Sequence, residues 1–106
     1  MIARIWRGWT TPQNADAYQR IVSEEVLPSI AGRNLTGYHG AYLLRRDLGA
    51  EVEFATITLF DSLEGVRAFA GEDYETAYVP PRARAVLARF DQRSAHYDTL
   101  LRPRAT

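Results

Sequence analysis

The stretch "RFDQRSAHYD", residues 89–98, contains the side chain of this chain best suited to proton transfer. Read as a β-strand, it places Phe90, Gln92, Ser94 and His96 on one face, because side chains alternate across a strand. Such a mixture of aromatic and polar groups is typical of a cavity wall. Histidine titrates near neutral pH, so His96 is predicted to act as a catalytic base. The alternative is a hydrogen-bonded strand histidine at the seam of a dimer.

Arg4 is the second candidate catalytic residue, because it interrupts the apolar start "MIARIWRGW" in the middle of a predicted strand. Two partners for its charge are compatible with the sequence. One is a carboxylate at the edge of a dimer. The other is an anionic or enolate-like ligand, whose negative charge Arg4 would stabilise.

Six further side chains are candidates for contacts with a flat substrate. Aromatic rings can stack on such a compound, and a tyrosine just before two prolines can cap a pocket. Packing in the core or at an interface is the alternative for each of them. The predicted substrate-binding residues are Trp6, Tyr42, Thr58, Phe60, Tyr78 and Phe90.

Several other chemistries find no support in the sequence. There is no cysteine, and His39 and His96 stand 57 positions apart, so no zinc-site spacing is present. The seven glycines are dispersed, which excludes a phosphate-binding glycine loop. No G-x-S-x-G motif or Ser/His/Asp signature is visible. No metal and no cofactor are predicted.

The elements that must position these residues follow from periodicity and turn signals. An alternating first strand precedes a helix that ends at Gly32, with Pro28 distorting its last turn. A hairpin turning at "DLGA" leads to a helix ending at Gly71, then a short helix from Pro81 and a last strand over 89–98. The order predicts an α+β fold: a ferredoxin-like βαββαβ unit whose antiparallel four-stranded sheet carries both main helices on one face.

The length and charge of the chain limit its organisation and its partners. A chain of 106 residues suits one domain, predicted over 1–98 with a tail over 99–106. Thirteen basic and thirteen acidic residues cancel, so neither nucleic acid nor an anionic membrane is a predicted partner. No apolar stretch is long enough for a signal peptide or a membrane span, which predicts a cytoplasmic protein.

The two faces of the predicted sheet are both too apolar for water. The smaller side chains, such as Ala3, Ile5 and Ile57, are expected under the helices. The opposite face would carry Arg4, Trp6, Thr58 and Phe60 and would be exposed in a monomer. A large exposed apolar face usually marks an interface. A homodimer packed sheet to sheet around an internal pocket is therefore predicted. The residues predicted on that second face are Ile2, Arg4, Trp6, Gly8, Phe54, Thr56, Thr58 and Phe60.

Four segments together resemble the antibiotic-biosynthesis-monooxygenase family of the dimeric α/β-barrel superfamily. They are "IARIWRGW", "GYHGAYLLRRD", "TLFDS" followed by "LEGVRAFAGEDY", and the terminal "HYD", within residues 2–98. The resemblance implies a dimeric α/β barrel and a cofactor-independent monooxygenase acting on a small aromatic or quinone-like compound in an internal pocket. The alternative function is a non-catalytic dimeric small-molecule-binding or stress-associated protein with the same cavity.

Haem-degrading members of the superfamily have a different set of residues. By position, their tryptophan corresponds to Phe60, their iron-binding histidine falls near Tyr78, and their asparagine falls near Arg7. None of the three matches, so haem is not a predicted cofactor.

Overall fold

The fold is known from a computed structural model that describes residues 1–103. Five strands form one antiparallel sheet in the order β2-β3-β1-β4, with β5 also paired to β1. The predicted ferredoxin-like α+β arrangement is confirmed. The predicted tail begins after β5, and its last three positions, 104–106, lie outside the described residues. The strands are β1 (Ile2–Thr10), β2 (Tyr38–Asp47), β3 (Val52–Phe60), β4 (Arg89–Phe90) and β5 (Ala95–Asp98), and the α-helices are α1 (Ala15–Ile21), α2 (Leu27–Gly32), α3 (Leu63–Ala70) and α4 (Pro81–Val86).

The first helical region runs from Ala15 to Gly32 and comprises α1, α2 and the turn between them. It is continuous but irregular between α1 and α2. A π-helical turn spans Val22–Val26, and the Leu27 N–H donates to the carbonyl of Val22. The next residue is Pro28, which has no N–H and therefore cannot close the usual bond to the carbonyl four residues earlier. The predicted distortion at Pro28 is thus a wide turn just before the proline, and the helix continues to Gly32.

The predicted last strand is two short strands. β4 pairs Phe90 with Gly8, and β5 pairs His96 with Arg4. Between them the chain leaves β1, and the Ser94 N–H donates instead to the carbonyl of Glu75 at 2.6 Å. Gln92 is exposed, so it does not share the face on which it was predicted with Phe90, Ser94 and His96.

The prediction of which face lies under the helices is wrong. The helices cover the face that carries the larger side chains, and Phe54 and Phe60 are both fully buried there. Phe54 packs on Tyr18 at 4.8 Å between ring centroids, and Phe60 packs on Phe69 at 5.8 Å. Large rings fill the space beneath a helix better than alanine does, so they remove more apolar area from water. The smaller side chains lie on the opposite surface, called the open face: Ala3, Ile5, Ala55, Ile57 and Leu59.

This exchange of faces decides where the candidate site lies. Arg4, Trp6 and Thr58 point into the space between sheet and helices of one chain, not towards a second copy. Within residues 1–103, none of the helices has the length and apolar character required to cross a membrane.

Candidate functional site

A cavity lies between the sheet and the first helical region. Its floor includes Arg4, Trp6 and Thr58, and its roof includes Val22 and Val26 from the π turn. The cavity volume is about 60 Å³, room for only a few water molecules. Pockets that bury a drug-sized ligand measure roughly 300–1,000 Å³. A ring compound therefore fits only if the wall moves outward.

Arg4 is the charged group of the cavity, and its side chain is held by a fixed set of acceptors. Nη1 donates to the Tyr74 carbonyl and to His96 Nε2, the latter at 2.9 Å. Nη2 donates to the Thr76 carbonyl at 3.2 Å. The guanidinium carbon lies 5.6 Å from the centroid of the Phe69 ring. These contacts use three of the five N–H groups of an arginine side chain.

No carboxylate neutralises Arg4 within residues 1–103. Arg4 is only 4% exposed, and none of the ion pairs in this part of the chain involves it. Burial lowers the pKa of the guanidinium to about 10, so Arg4 still carries its charge at neutral pH. A buried cation without a counter-ion is costly, and it favours any anion that enters the cavity.

His96 contacts Arg4 and does not line the cavity wall directly. Since the guanidinium can only donate, His96 Nε2 must accept, which makes the imidazole neutral and puts its proton on Nδ1. The pKa of His96 is lowered, first by burial and then by the charge of Arg4, while Glu75 acts in the opposite direction. The ring also packs edge-on against Tyr74 at 5.0 Å. The structure therefore supplies the neutral form that a base requires.

Trp6 forms an aromatic wall, and its placement depends on a neighbouring glycine. A Cβ at Gly8 would lie 2.8 Å from Trp6 Cη2 and 2.9 Å from a methyl of Leu87, so only glycine leaves room for the indole. Trp6 Nε1 donates to the Asp91 carbonyl at 2.8 Å. The ring of Phe90 packs on the indole at 6.0 Å. Phe90 thus supports the wall from behind and is not itself a lining residue.

The other predicted contacts divide between the cavity and elsewhere. Thr58 lies in the floor, and Tyr78 lies at one side, 47% exposed, with its ring edge-on to Phe69 at 5.2 Å. Phe60 is enclosed in the core and does not line the cavity. Tyr42 lies on the open face, in register with Ile57. The structure brings together Arg4, Trp6, Thr58 and Tyr78, with His96 behind Arg4.

Sequence reasoning missed two parts of the site. Ser94 is 5% exposed and lines the cavity. It was placed on the right face, beside His96, but serine is too common in strands for its type to stand out. The helical wall from Val22 to Leu27 was also missed, because its apolar spacing predicts ordinary core packing. Pro28 was the available signal for an irregular wall.

The chemistry that this arrangement permits is proton transfer and stabilisation of an anionic oxygen. Arg4 supplies fixed N–H donors in a site away from bulk water, where such donors are most effective. Residues 1–103 hold no group of three or more His, Cys, Asp or Glu side chains placed to bind a metal ion.

Comparison with known proteins identifies the fold. No family model matches the chain, and no curated protein matches its sequence. Among solved structures, a proposed antibiotic biosynthesis monooxygenase from Bacillus cereus superposes with a TM-score of 0.63 at 11% sequence identity, covering 99% of this chain and 96% of that one.

Two structures from Mycobacterium tuberculosis are also similar. The protein Rv0793 gives a TM-score of 0.61 at 16% identity, with 95% of this chain and 96% of that chain covered. The haem-degrading protein MhuD, with two haems bound in its active site, gives 0.58 at 20% identity, covering 97% and 99%. The antibiotic-biosynthesis-monooxygenase-like fold recognised in the sequence is confirmed. At these identities the likeness establishes the fold, and function must be argued from the site.

Proposed function

We propose that this chain, which has the antibiotic-biosynthesis-monooxygenase-like fold, oxidises a small aromatic or quinone-like compound with molecular oxygen in the cavity between its sheet and first helical region. The observation that carries the proposal is Arg4, a buried guanidinium without a carboxylate partner in the described chain, at the wall of a mainly apolar cavity. A ring that develops negative charge on an oxygen matches both features.

The reaction needs one proton acceptor and one stabiliser of negative charge. The lone pair of His96 Nε2 now accepts an N–H from Arg4 at 2.9 Å. When the hydroxyl oxygen of a phenol takes over that N–H, the lone pair becomes free to take the phenol proton. Arg4 then stabilises the phenolate, and Trp6 stacks on its ring.

The electrons come from the substrate itself. In a phenol with an unsubstituted para position, the phenolate donates its electrons to O₂, and one oxygen atom bonds to the para carbon. The second oxygen atom leaves as water with two hydrogens, one from the hydroxyl group and one from the ring carbon. The product is a quinone, so phenol plus O₂ balances quinone plus water without another reductant.

The cavity must widen before a ring can enter, and its wall has a suitable place. The roof residues Val22 and Val26 belong to the π turn, where the helix has already lost one regular hydrogen bond at Pro28. At the side, Tyr78 is half exposed and packs edge-on against Phe69. Outward movement of these two parts leaves the sheet and Arg4 in place.

The test is oxygen uptake with a series of phenols and hydroquinones, together with mass spectrometry of the quinone product. Arg4→Gln should lower kcat by about 10²–10³-fold, the usual effect of removing an oxyanion donor. Arg7→Gln is the matched control: Arg7 lies on the same strand but on the open face, paired with Asp91 at 3.1 Å, and its loss should leave kcat unchanged. Arg4→Lys, which keeps the charge but not the planar fork, should have intermediate activity.

Two outcomes would contradict the proposed oxidation. If no phenol or hydroquinone causes oxygen uptake by the folded parent protein, yet these compounds bind, the enzyme proposal is wrong and the non-catalytic binding protein is correct. Equal kcat in the parent and Arg4→Gln would show that the buried charge has no part in the chemistry.

A further inference from the structure

The hydroxyl group of Ser94 is buried in the cavity wall without a partner in the described chain. Ser94 is 5% exposed, and its Oγ makes no hydrogen bond within residues 1–103. Its backbone N–H, in contrast, is fixed by the bond to the Glu75 carbonyl. A buried polar atom that stays unpaired normally costs stability, so the free hydroxyl calls for an explanation.

Ser94 lines the same cavity as Arg4. His96 is directly opposite Arg4 in the pairing of β5 with β1, and Ser94 precedes it by two residues. The chain leaves β1 at Ser94, but the side chains of Ser94 and Arg4 line the same cavity. One oxygen atom placed between them can accept a hydrogen bond from each.

The ligand atom that satisfies both groups must be an acceptor. Arg4 can only donate, and a serine hydroxyl donates one hydrogen. Negative charge on the acceptor also supplies the counter-ion that Arg4 lacks within residues 1–103. Hydrogen bonds to an ionised oxygen are about twice as strong as those between neutral groups.

We infer that Ser94 and Arg4 together bind the ionised oxygen, phenolate or carboxylate, of a small ligand whose apolar body lies against Trp6 and the helical wall. Ser94 is thereby a specificity-determining residue. The inference takes the location of the ligand from the proposed function and adds the chemical class that the site selects.

The probe is 4-nitrophenol, whose ionised form has its own visible absorbance. Titrations without oxygen, at a series of pH values, should show that the parent protein binds the phenolate in preference to the phenol, so that the bound probe ionises at lower pH than the free one. Ser94→Ala should weaken binding of the phenolate about 10- to 100-fold, the effect of one hydrogen bond to a charged group. Its melting temperature should not fall, because no bond within residues 1–103 is lost.

Thr10→Val is the matched control. Thr10 is fully buried, its hydroxyl also lacks a partner within residues 1–103, and it does not line the cavity. This change removes the same kind of group from the same sheet, and it should leave binding of 4-nitrophenolate at the parental value.

A neutral probe and a carboxylate define the selected class. Binding of 4-nitroanisole, which cannot ionise, should be weaker in the parent and unaffected by Ser94→Ala. Displacement of 4-nitrophenolate by benzoate would assign the site to carboxylates as well, and failure of benzoate would restrict it to phenolates. Equal binding of the ionised and neutral probes, or an unchanged affinity in Ser94→Ala, would overturn the inference. Because binding is measured without oxygen, this result stands apart from whether the protein turns over.

Discussion

The two faces of the sheet differ in what each leaves unsatisfied. Arg4 and Arg7 are three residues apart on β1 and point in opposite directions. Arg4 is buried without an acidic partner in the described chain, whereas Arg7 is about half exposed and pairs with Asp91 at 3.1 Å. The covered face therefore contains a buried charge without an acidic partner in the described chain. The open face carries apolar side chains that no helix of the described chain covers. A buried charge without a counter-ion indicates an anionic ligand. An uncovered apolar surface indicates contact with another protein surface.

The open face has the anatomy of an interface. Its centre is apolar, with Ile5 and Ile57 only partly buried. At one end Trp9 lies beside the guanidinium of Arg89, 3.9 Å from the ring centroid, and Arg89 pairs with Glu51 at 2.9 Å. An apolar centre bounded by paired charges is typical of protein–protein contacts. We propose that the homodimer predicted from the sequence forms through this face, which is opposite to the one expected.

The largest predicted effect is the loss of turnover on substitution of His96, which contacts Arg4 on the covered face. His96→Asn should lower turnover by about 10²–10⁴-fold, the range for loss of a general base, while the melting temperature falls only slightly. The measurements are oxygen uptake and thermal unfolding. His39→Asn is the control, because His39 contacts Asp61 at 2.5 Å on the exposed surface and has no part in the cavity. Full activity in His96→Asn with a clearly lower melting temperature would make His96 a structural residue.

The second prediction concerns the open face. Ile57 is paired with Ile5 on one side and Tyr42 on the other, so Ile57→Asp puts a charge at the centre of the proposed interface. An unpaired buried charge costs about 3–5 kcal/mol, which should weaken the dimer by about 10²–10⁴-fold. Sedimentation over a concentration series measures this change. Gln13→Asp adds the same charge at an exposed helical site and should leave the dimer intact.

The parent protein provides the direct check on this interface. A homodimer that is stable at micromolar concentration should scatter light as two chains of 12.0 kDa. A parental mass of one chain at that concentration would leave the apolar open face without a second copy to cover it. Unchanged association in Ile57→Asp would move the interface to another surface.

The sequence was sufficient for the element order but not for the choice of face. Strand alternation, Gly32 and the "DLGA" turn located the hairpin and the first helix well. Both faces of β3 are apolar, however, so hydropathy could not decide which one lies under the helices. Side-chain volume decides it, because Phe54 and Phe60 fill the space that the helices leave.

Only part of the candidate site could be predicted, because strand alternation shows which residues share a face but not which residues of distant strands meet. Arg4, Trp6 and Thr58 share one face of neighbouring strands, which alternation reveals. The contact between Arg4 and His96 joins residues 92 positions apart and depends on the register of β5 with β1. Tyr42 was misplaced because the bulge between Tyr38 and Gly40 changes the alternation of β2. Ser94 gained significance only when its hydroxyl proved to lack a partner within residues 1–103.

The third prediction is a moderate dependence of stability on pH through His96. Burial and the charge of Arg4 lower the pKa of His96 in the folded state below its ordinary value of 6.5. As the pH falls through about 6.5, the unfolded chain takes up a proton that the folded chain resists, so stability present above this pH is progressively lost below it. Urea unfolding between pH 7.5 and 5.5 measures the slope.

The matched variant for this prediction is His96→Asn, which cannot titrate. Its free energy of unfolding should fall less between the two pH values than that of the parent. Identical slopes in the two proteins would show that neither Arg4 nor burial resists protonation of His96. The Nε2 atom of His96 would then not act as the acceptor of the Arg4 N–H.

The smallest expected effect is the response to haem, for which we predict no specific binding. MhuD shares this fold and binds two haems in its active site. In the present chain, the residue corresponding by position to the tryptophan of haem degraders is Phe60, which is fully buried against Tyr38 and Phe69 and cannot face a ligand. Tyr78, near the position of their iron ligand, is half exposed beside a cavity of about 60 Å³. Titration with haemin should therefore give no saturable Soret shift at one equivalent. A sharp one-to-one transition that Tyr78→Phe abolishes would instead indicate iron bound by tyrosinate, and it would show that the wall formed by the π turn opens much further than oxidation of a single ring requires.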